Sequence, residues 1–149
     1  KRISGKQGPE IVPHNEGVYS PAMTENTYEA MAAEANETIE AGRGVILDGT
    51  FGQRAQREKF VALAQRENVP LLVIRCLASE TTIAERLHSR AAAGESISDG
   101  RWEIYTAQKA AYEPMDEVAS ASLLNQDTEA PVADLLVAAE AFLFRRLNS

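Results

Sequence analysis

A chain of 149 residues, 44% hydrophobic and 25% charged, is long enough for one domain with a buried core and too apolar for a disordered polymer. Its net charge of −7, with a pI near 4.9, argues against an extended nucleic-acid surface. The single cysteine, Cys76, excludes an intrachain disulfide and a multi-cysteine metal site and fits a reducing, cytoplasmic compartment.

His14 and His88 are too few for a histidine-rich metal site, and no apolar run is long enough to span a bilayer, so no membrane partner is expected. The chain starts on Lys1, without leader or tag character, which marks Lys1 as an unlikely natural start.

In chain order, residues 1–20 carry Gly5, Gly8, Pro9, Pro13, Asn15 and Gly17 without apolar periodicity, and read as a loop-rich opening segment. Thr24 is placed as an N-cap, and Tyr28, Met31, Ala32, Ala35 and Ile39 follow at helical spacing until Gly42 ends the helix. Gly44 to Phe51, Gly-Val-Ile-Leu-Asp-Gly-Thr-Phe, holds a short unbroken apolar run that ends on a carboxylate, a glycine and a hydroxyl. Val45 to Asp48 therefore reads as a strand buried on both faces, as in a parallel sheet. Ligands of open α/β sheets sit beyond the carboxyl ends of such strands, where Asp48 and Thr50 fall.

Three roles suit Asp48. A phosphatase-type aspartyl nucleophile needs a second Asp two residues upstream, where Ile46 stands, so that chemistry is disfavoured. A strand-end Asp that holds Mg²⁺ or its water, and an Asp that caps the following turn, remain even on this stretch alone.

Gln53 to Glu67 follows as an amphipathic helix with Phe60, Leu63 and Ala64 on its apolar side and Arg54, Arg57 and Lys59 crowding its first half. Cations there oppose the helix dipole, a conflict that a nearby anion or simple solvation relieves. Leu71 to Leu77 reads as a second buried strand, with Cys76 as a small core hydrophobe. Ser79 caps a helix in which Arg86 and Arg90 stand four apart on one face. Residues 91–98 read as a small-residue loop suited to a hinge, and Ser98-Asp99 as the cap of a helix bearing Trp102, Tyr105 and Tyr112 up to Pro114. Ala121 to Asn125 reads as a short third strand with Asn125-Gln126-Asp127 turning at its end. Pro131 opens a last helix with Val132, Leu135, Leu136, Ala139, Phe142 and Leu143 as its core face. This order of helices and strands is an α/β layer pattern.

Tyr19-Ser20-Pro21, the Val45–Phe51 stretch, the arginine-bearing helix, Arg75-Cys76 and Glu85-Arg86-Leu87-x-x-Arg90 stand in an order that resembles the P-loop kinase-like, AAA-type ATP-binding domain of bacteria. That domain is often fused to an aminoglycoside-phosphotransferase-like domain, and its more distant relatives are polynucleotide kinase, gluconate kinase and zeta toxins. The likeness runs from about Val18 to Asp127. It implies a three-layer α/β P-loop NTPase fold of kinase type, a parallel sheet with helices on both faces, and ATP with Mg²⁺ as cofactors. The implied reaction is phosphoryl transfer to a hydroxyl of a small-molecule or nucleotide-like acceptor.

By the same resemblance, Asp48 orients Mg²⁺ through water, and Arg86 and Arg90 are lid arginines over ATP with residues 91–98 as the lid. Asn125 and Asp127 lie near the adenine, while Thr50, Tyr19, Arg54 and Arg57 face the acceptor. The phosphate-cradling Gly-x-x-x-x-Gly-Lys-[Ser/Thr] loop is nowhere in the sequence, and Gly5-Lys6-Gln7 does not substitute for it. The resemblance therefore implies a kinase domain, spanning 1–149, that is N-terminally truncated, without its first strand, phosphate loop and first helix. The strands of Asp48 and Ile74 are then expected to be parallel but not directly paired. The alternative is a scaffold or interaction module that has lost nucleotide chemistry.

Overall fold

The computed structural model describes residues 21–92 and 102–147. Helix α1 (Pro21–Glu40) ends at Gly42, whose φ of +72° closes it. Gly42 N donates to Ile39 O at 2.8 Å and Arg43 N to Thr38 O at 3.2 Å, so the last turn's carbonyls are satisfied by a glycine in the left-handed region. The helix begins three residues before Thr24, which lies inside its first turn.

Helix α2 (Arg54–Arg66) packs side by side with α1 through one apolar cluster. Tyr28 and Ala35 of α1 and Phe60, Leu63 and Ala64 of α2 are all buried there. Lys59 reaches across to Glu25 and Glu29, an exposed ion-pair group that contributes little by itself. The periodicity of both helices thus translated directly into a shared core.

Strand β1 (Val73–Leu77) pairs in parallel with β2 (Leu123–Asp127), in the register Val73 with Leu123 through Leu77 with Asp127. A parallel pair needs a long crossover, supplied here by α3 (Glu80–Ala92), α4 (Trp102–Ala110) and the 3₁₀ turn Ser120–Ser122. Helix α5 (Val132–Leu147) follows β2 and is fastened to it by Gln126 Nε2, which donates to Leu135 O at 2.6 Å. The arrangement is an α/β fold with a small parallel sheet.

Several sequence expectations need correction. Val45 to Asp48 is extended but forms no strand ladder with β1 or any other described segment. Nor is it buried on both faces: Ile46 is 97% exposed. An extended segment with no neighbour on either edge has nowhere to place its backbone donors and acceptors except in water.

Cys76 is exposed, not a core hydrophobe. It shares a sheet face with Ile74, also exposed, and a two-stranded sheet is too narrow for one helix to cover that face. The same narrowness reduces the buried face of α5: Phe142 is buried and Leu135 and Ala139 are half-buried, but Val132, Leu136 and Leu143 are exposed.

Asn125, Gln126 and Asp127 belong to β2, and the turn comes later, at Thr128 and Glu129. Ala91 and Ala92 continue α3, since alanine extends a helix rather than breaking it. The remainder of the 91–98 segment, with the Ser98-Asp99 cap, lies outside the described residues, as do Tyr19 and His14.

Candidate functional site

The turn after Asp48 is held from two helices. Tyr28, only 5% exposed, extends its hydroxyl from α1 to the turn, accepting from Phe51 N at 2.9 Å and lying 3.2 Å from Thr50 Oγ1. Arg57 of α2 donates through Nη1 to Phe51 O at 2.9 Å. Both sides of Phe51 are therefore fixed, and its φ of +45° is a left-handed conformation that a bulky residue adopts only under such constraint. The Phe51 ring stands edge-on to Tyr28 at 5.1 Å and to Phe60 at 5.3 Å between centroids.

Gly49 lets this packing close without crowding. A Cβ there would lie 3.3 Å from the Phe51 ring and 3.4 Å from the Tyr28 hydroxyl. The result is a turn that leaves Asp48 and Thr50 both exposed. Asp48 makes no hydrogen bond or ion pair among the described residues, so its carboxylate is unspent.

Arg57 itself is buried, with 4% of its side chain exposed. Besides Phe51 O it donates through Nη2 to Pro114 O at 2.7 Å and through Nε to Glu117, whose side chain is 8% exposed. Its charged carbon lies 5.8 Å from the centre of the Tyr112 ring. Burial works against the charge, but the Glu117 hydrogen bond and carboxylate outweigh it and raise the Arg57 pKa above the ordinary arginine value. In return the Arg57 hydrogen bond holds the Glu117 carboxyl below its ordinary range.

Arg54 is more open. Its side chain reaches Glu58 at 3.6 Å, Asp116 at 3.5 Å and Glu117 at 3.9 Å, while its backbone N donates to the Glu113 carboxylate. Glu113 N in turn donates to Gly52 O at 2.8 Å. The carboxylates of Glu113, Asp116 and Glu117, some 60 residues along the chain, are the anions that offset the cations crowding the start of α2. They account for that charge conflict without a bound ligand.

The two arginines of α3 behave differently. Arg86 donates through Nη1 to Thr128 Oγ1 at 2.9 Å and through Nη2 to Thr128 O at 2.6 Å. Thr128 N and Oγ1 both donate to Leu77 O, at 2.8 and 2.9 Å, so Arg86 ties the turn after β2 to the carboxyl end of β1. Ser79 N donates to the Glu129 carboxylate, a hydrogen bond that lowers the Glu129 pKa. Arg90 is exposed and makes no hydrogen bond or ion pair among the described residues.

Asp127 ends β2 beside Leu77 and accepts from Glu129 N at 3.0 Å. Asn125 is exposed opposite Arg75. Arg75 Nε is the one buried side-chain polar atom without a partner among the described residues.

The structure thus ties Arg57 to the turn that carries Asp48 and Thr50, turns the Arg54 side chain to Glu58, Asp116 and Glu117, and separately joins Arg86 to the turn beyond Asp127. Tyr28, Glu113, Glu117 and Thr128 were not singled out for these roles by the sequence. Only the pairing of Glu113 and Glu117 with two arginines was latent there, and charge alone cannot assign partners 60 residues apart.

Among the described residues no group of three His, Cys, Asp or Glu side chains could hold a metal ion. Asp48 fits Mg²⁺ only as a single carboxylate acting through water, since that ion keeps several waters and relies on phosphate oxygens. The sequence has no Gly-x-x-x-x-Gly-Lys-[Ser/Thr] phosphate loop.

An α/β arrangement with a small parallel sheet is consistent with a P-loop NTPase-like domain, the nucleotide-binding class to which the family match points. The chain belongs to the AAA domain family, whose sequence model matches residues 1–115. The match contains Asp48, Thr50, Arg54, Arg57, Arg86 and Arg90, and stops before Glu117, Asn125 and Asp127. No curated protein and no solved structure gives a significant match. No described helix is long and apolar enough to cross a membrane.

Proposed function

We propose that this chain is the acceptor-side and lid-side portion of a kinase-type P-loop domain, whose activity is ATP-dependent phosphoryl transfer to a hydroxyl of a small-molecule or nucleotide-like acceptor. The observation that carries the reading is the turn at Asp48-Gly49-Thr50. It is held by Tyr28 and Arg57 yet presents a carboxylate and a hydroxyl to solvent. A strained, doubly anchored turn with exposed polar side chains suits preorganised binding better than a plain connection.

In this reading Asp48 orients the water of a nucleotide-borne Mg²⁺, Thr50 and the exposed side of Arg54 border the acceptor, and Arg90 supplies mobile positive charge. Arg86, Asn125 and Asp127 border the adenine side, with Arg86 holding the turn behind it. Residues 91–98 form the lid, and Tyr19 belongs to the acceptor side. A phosphate loop must come from residues outside 1–149, on a strand lying between the Val45–Asp48 segment and β1 in a three-layer fold. The exposure of Ile46 and Ile74 is consistent with that position. A fused or associated phosphotransferase-like domain is the expected partner, in the cytoplasm.

The second reading, a scaffold without nucleotide chemistry, is favoured by the apolar residues left exposed on α5, Val132, Leu136, Val137 and Leu147. Calorimetry with Mg-ATP separates the two when joined to turnover. Residues 1–149 should show no micromolar binding, and the protein carrying its native upstream sequence should consume ATP, with Asp48→Asn weakening the Mg²⁺ response. Micromolar binding to residues 1–149 would demand another nucleotide site. An upstream sequence without a phosphate loop, and no ATP consumption, would establish the scaffold.

A further inference from the structure

The hydrogen bond between Tyr28 and Thr50 has a direction that the surrounding groups decide. Tyr28 Oη carries one proton and two lone pairs. One lone pair is taken by Phe51 N–H at 2.9 Å. The Tyr28 side chain is buried, and Thr50 Oγ1 at 3.2 Å is the only acceptor its proton meets among the described residues. If Thr50 donated instead, the tyrosine proton would be buried without a partner, the costlier arrangement.

The tyrosine therefore donates and Thr50 accepts. The Thr50 hydroxyl keeps its own proton, and since Thr50 is exposed that proton is directed to solvent or to a ligand. From this geometry we infer that Tyr28 is a positioning residue, which sets Thr50 as a hydrogen-bond donor toward a substrate oxygen. The ligand atom that Thr50 meets is an oxygen with a free lone pair, neutral or anionic.

The strain at Phe51 belongs to the same device. Its φ of +45° accompanies a turn whose Phe51 N–H is held on Tyr28 Oη, which leaves the tyrosine proton to meet Thr50. Gly49, where a Cβ would lie 3.4 Å from the tyrosine hydroxyl, eases its approach. This inference rests on the phosphotransfer reading for its substrate but not for its hydrogen-bond direction, and the test keeps the two apart.

The first arm needs no ligand. In residues 1–149, NMR of the Tyr28 hydroxyl proton should show slow exchange with water that accelerates roughly tenfold in Thr50→Val, which removes the acceptor, and is kept in Thr50→Ser. Phe51 amide protection should persist in Thr50→Val, showing that the turn itself is intact. Hydroxyl exchange unchanged in Thr50→Val would overturn the inference, because the tyrosine proton would then have another acceptor.

The second arm measures ATP-dependent turnover in the protein with its upstream sequence. Tyr28→Phe should lower kcat by about 10²-fold, the scale of a misplaced binding group, with KM for ATP unchanged. In a Thr50→Val background its effect should shrink to what loss of the Phe51 N–H bond alone leaves, because the tyrosine orients Thr50 through that hydroxyl. Multiplying effects in the double variant would reduce Tyr28 to a core residue and refute its positioning role. A protein with no turnover would refute the phosphotransfer reading, while hydroxyl exchange would still decide the direction of the bond.

Discussion

Replacing Arg57 by methionine keeps the aliphatic stem in the α1–α2 core and removes only the guanidinium. Three acceptors then lose their donor: Phe51 O, Pro114 O and the Glu117 carboxylate. Glu117, at 8% exposure, cannot rehydrate without opening the 113–117 loop. Breaking a buried ion pair from one side typically costs about 3–5 kcal/mol, because the remaining charge is stranded. Against a total stability on the order of 5–15 kcal/mol, that is a large fraction. For a domain of this size each kcal/mol moves the midpoint by about 3 °C, so Arg57→Met should lower Tm by roughly 9–15 °C.

The assay is thermal or urea unfolding followed by circular dichroism, on Arg57→Met, Arg57→Lys and the double variant Arg57→Met/Glu117→Leu. Lysine keeps the charge but loses the fork that spans two carbonyls and a carboxylate, so it should fall between wild type and methionine. The double variant should recover most of the loss, since it buries no unpaired charge. An Arg57→Met midpoint within about 0.5 kcal/mol of wild type would refute the argument, since that is the range of an ordinary surface substitution.

Four further outcomes follow from the same geometry. The Glu117 carboxyl has its pKa below the ordinary value of 4.5, so its pairing stabilises the fold above that pH and is lost as pH falls through the lower, folded value. The stability difference between wild type and Glu117→Gln should therefore be constant near neutrality and shrink below about pH 4.5, as read by unfolding at a series of pH values. Gly49→Ala should cost about 1–3 kcal/mol through overpacking against Phe51 and Tyr28, and denaturant midpoints should show it. Arg90→Ala should leave the unfolding midpoint in place yet lower kcat by up to about 10³-fold, more than it raises KM for ATP. Arg86→Ala should lower kcat and also speed hydrogen exchange in the turn after Asp127, whose carbonyl at Thr128 it holds.

The local patterns were legible from the residues alone. The spacing of Tyr28, Ala35, Phe60, Leu63 and Ala64 specified two amphipathic helices, Gly42 their first stop, and the Val73–Leu77 run a strand, because each rests on contacts within a few residues along the chain. Asp48 and Thr50 were likewise visible as the polar end of an apolar run, and the order of motifs was enough to point to the family.

The structure decided what depends on distant partners. Val45 to Asp48 has strand composition, but a ladder requires a paired neighbour, and none of the described segments pairs with it. Cys76 and half of the expected face of α5 are exposed for the same reason: burial is a property of what covers a residue, not of the residue. Arg57 looks in sequence like one more cation on a charged helix. Only folding sets it beside Glu117 and beneath Phe51, where desolvation turns a surface charge into the anchor of the Asp48–Phe51 turn.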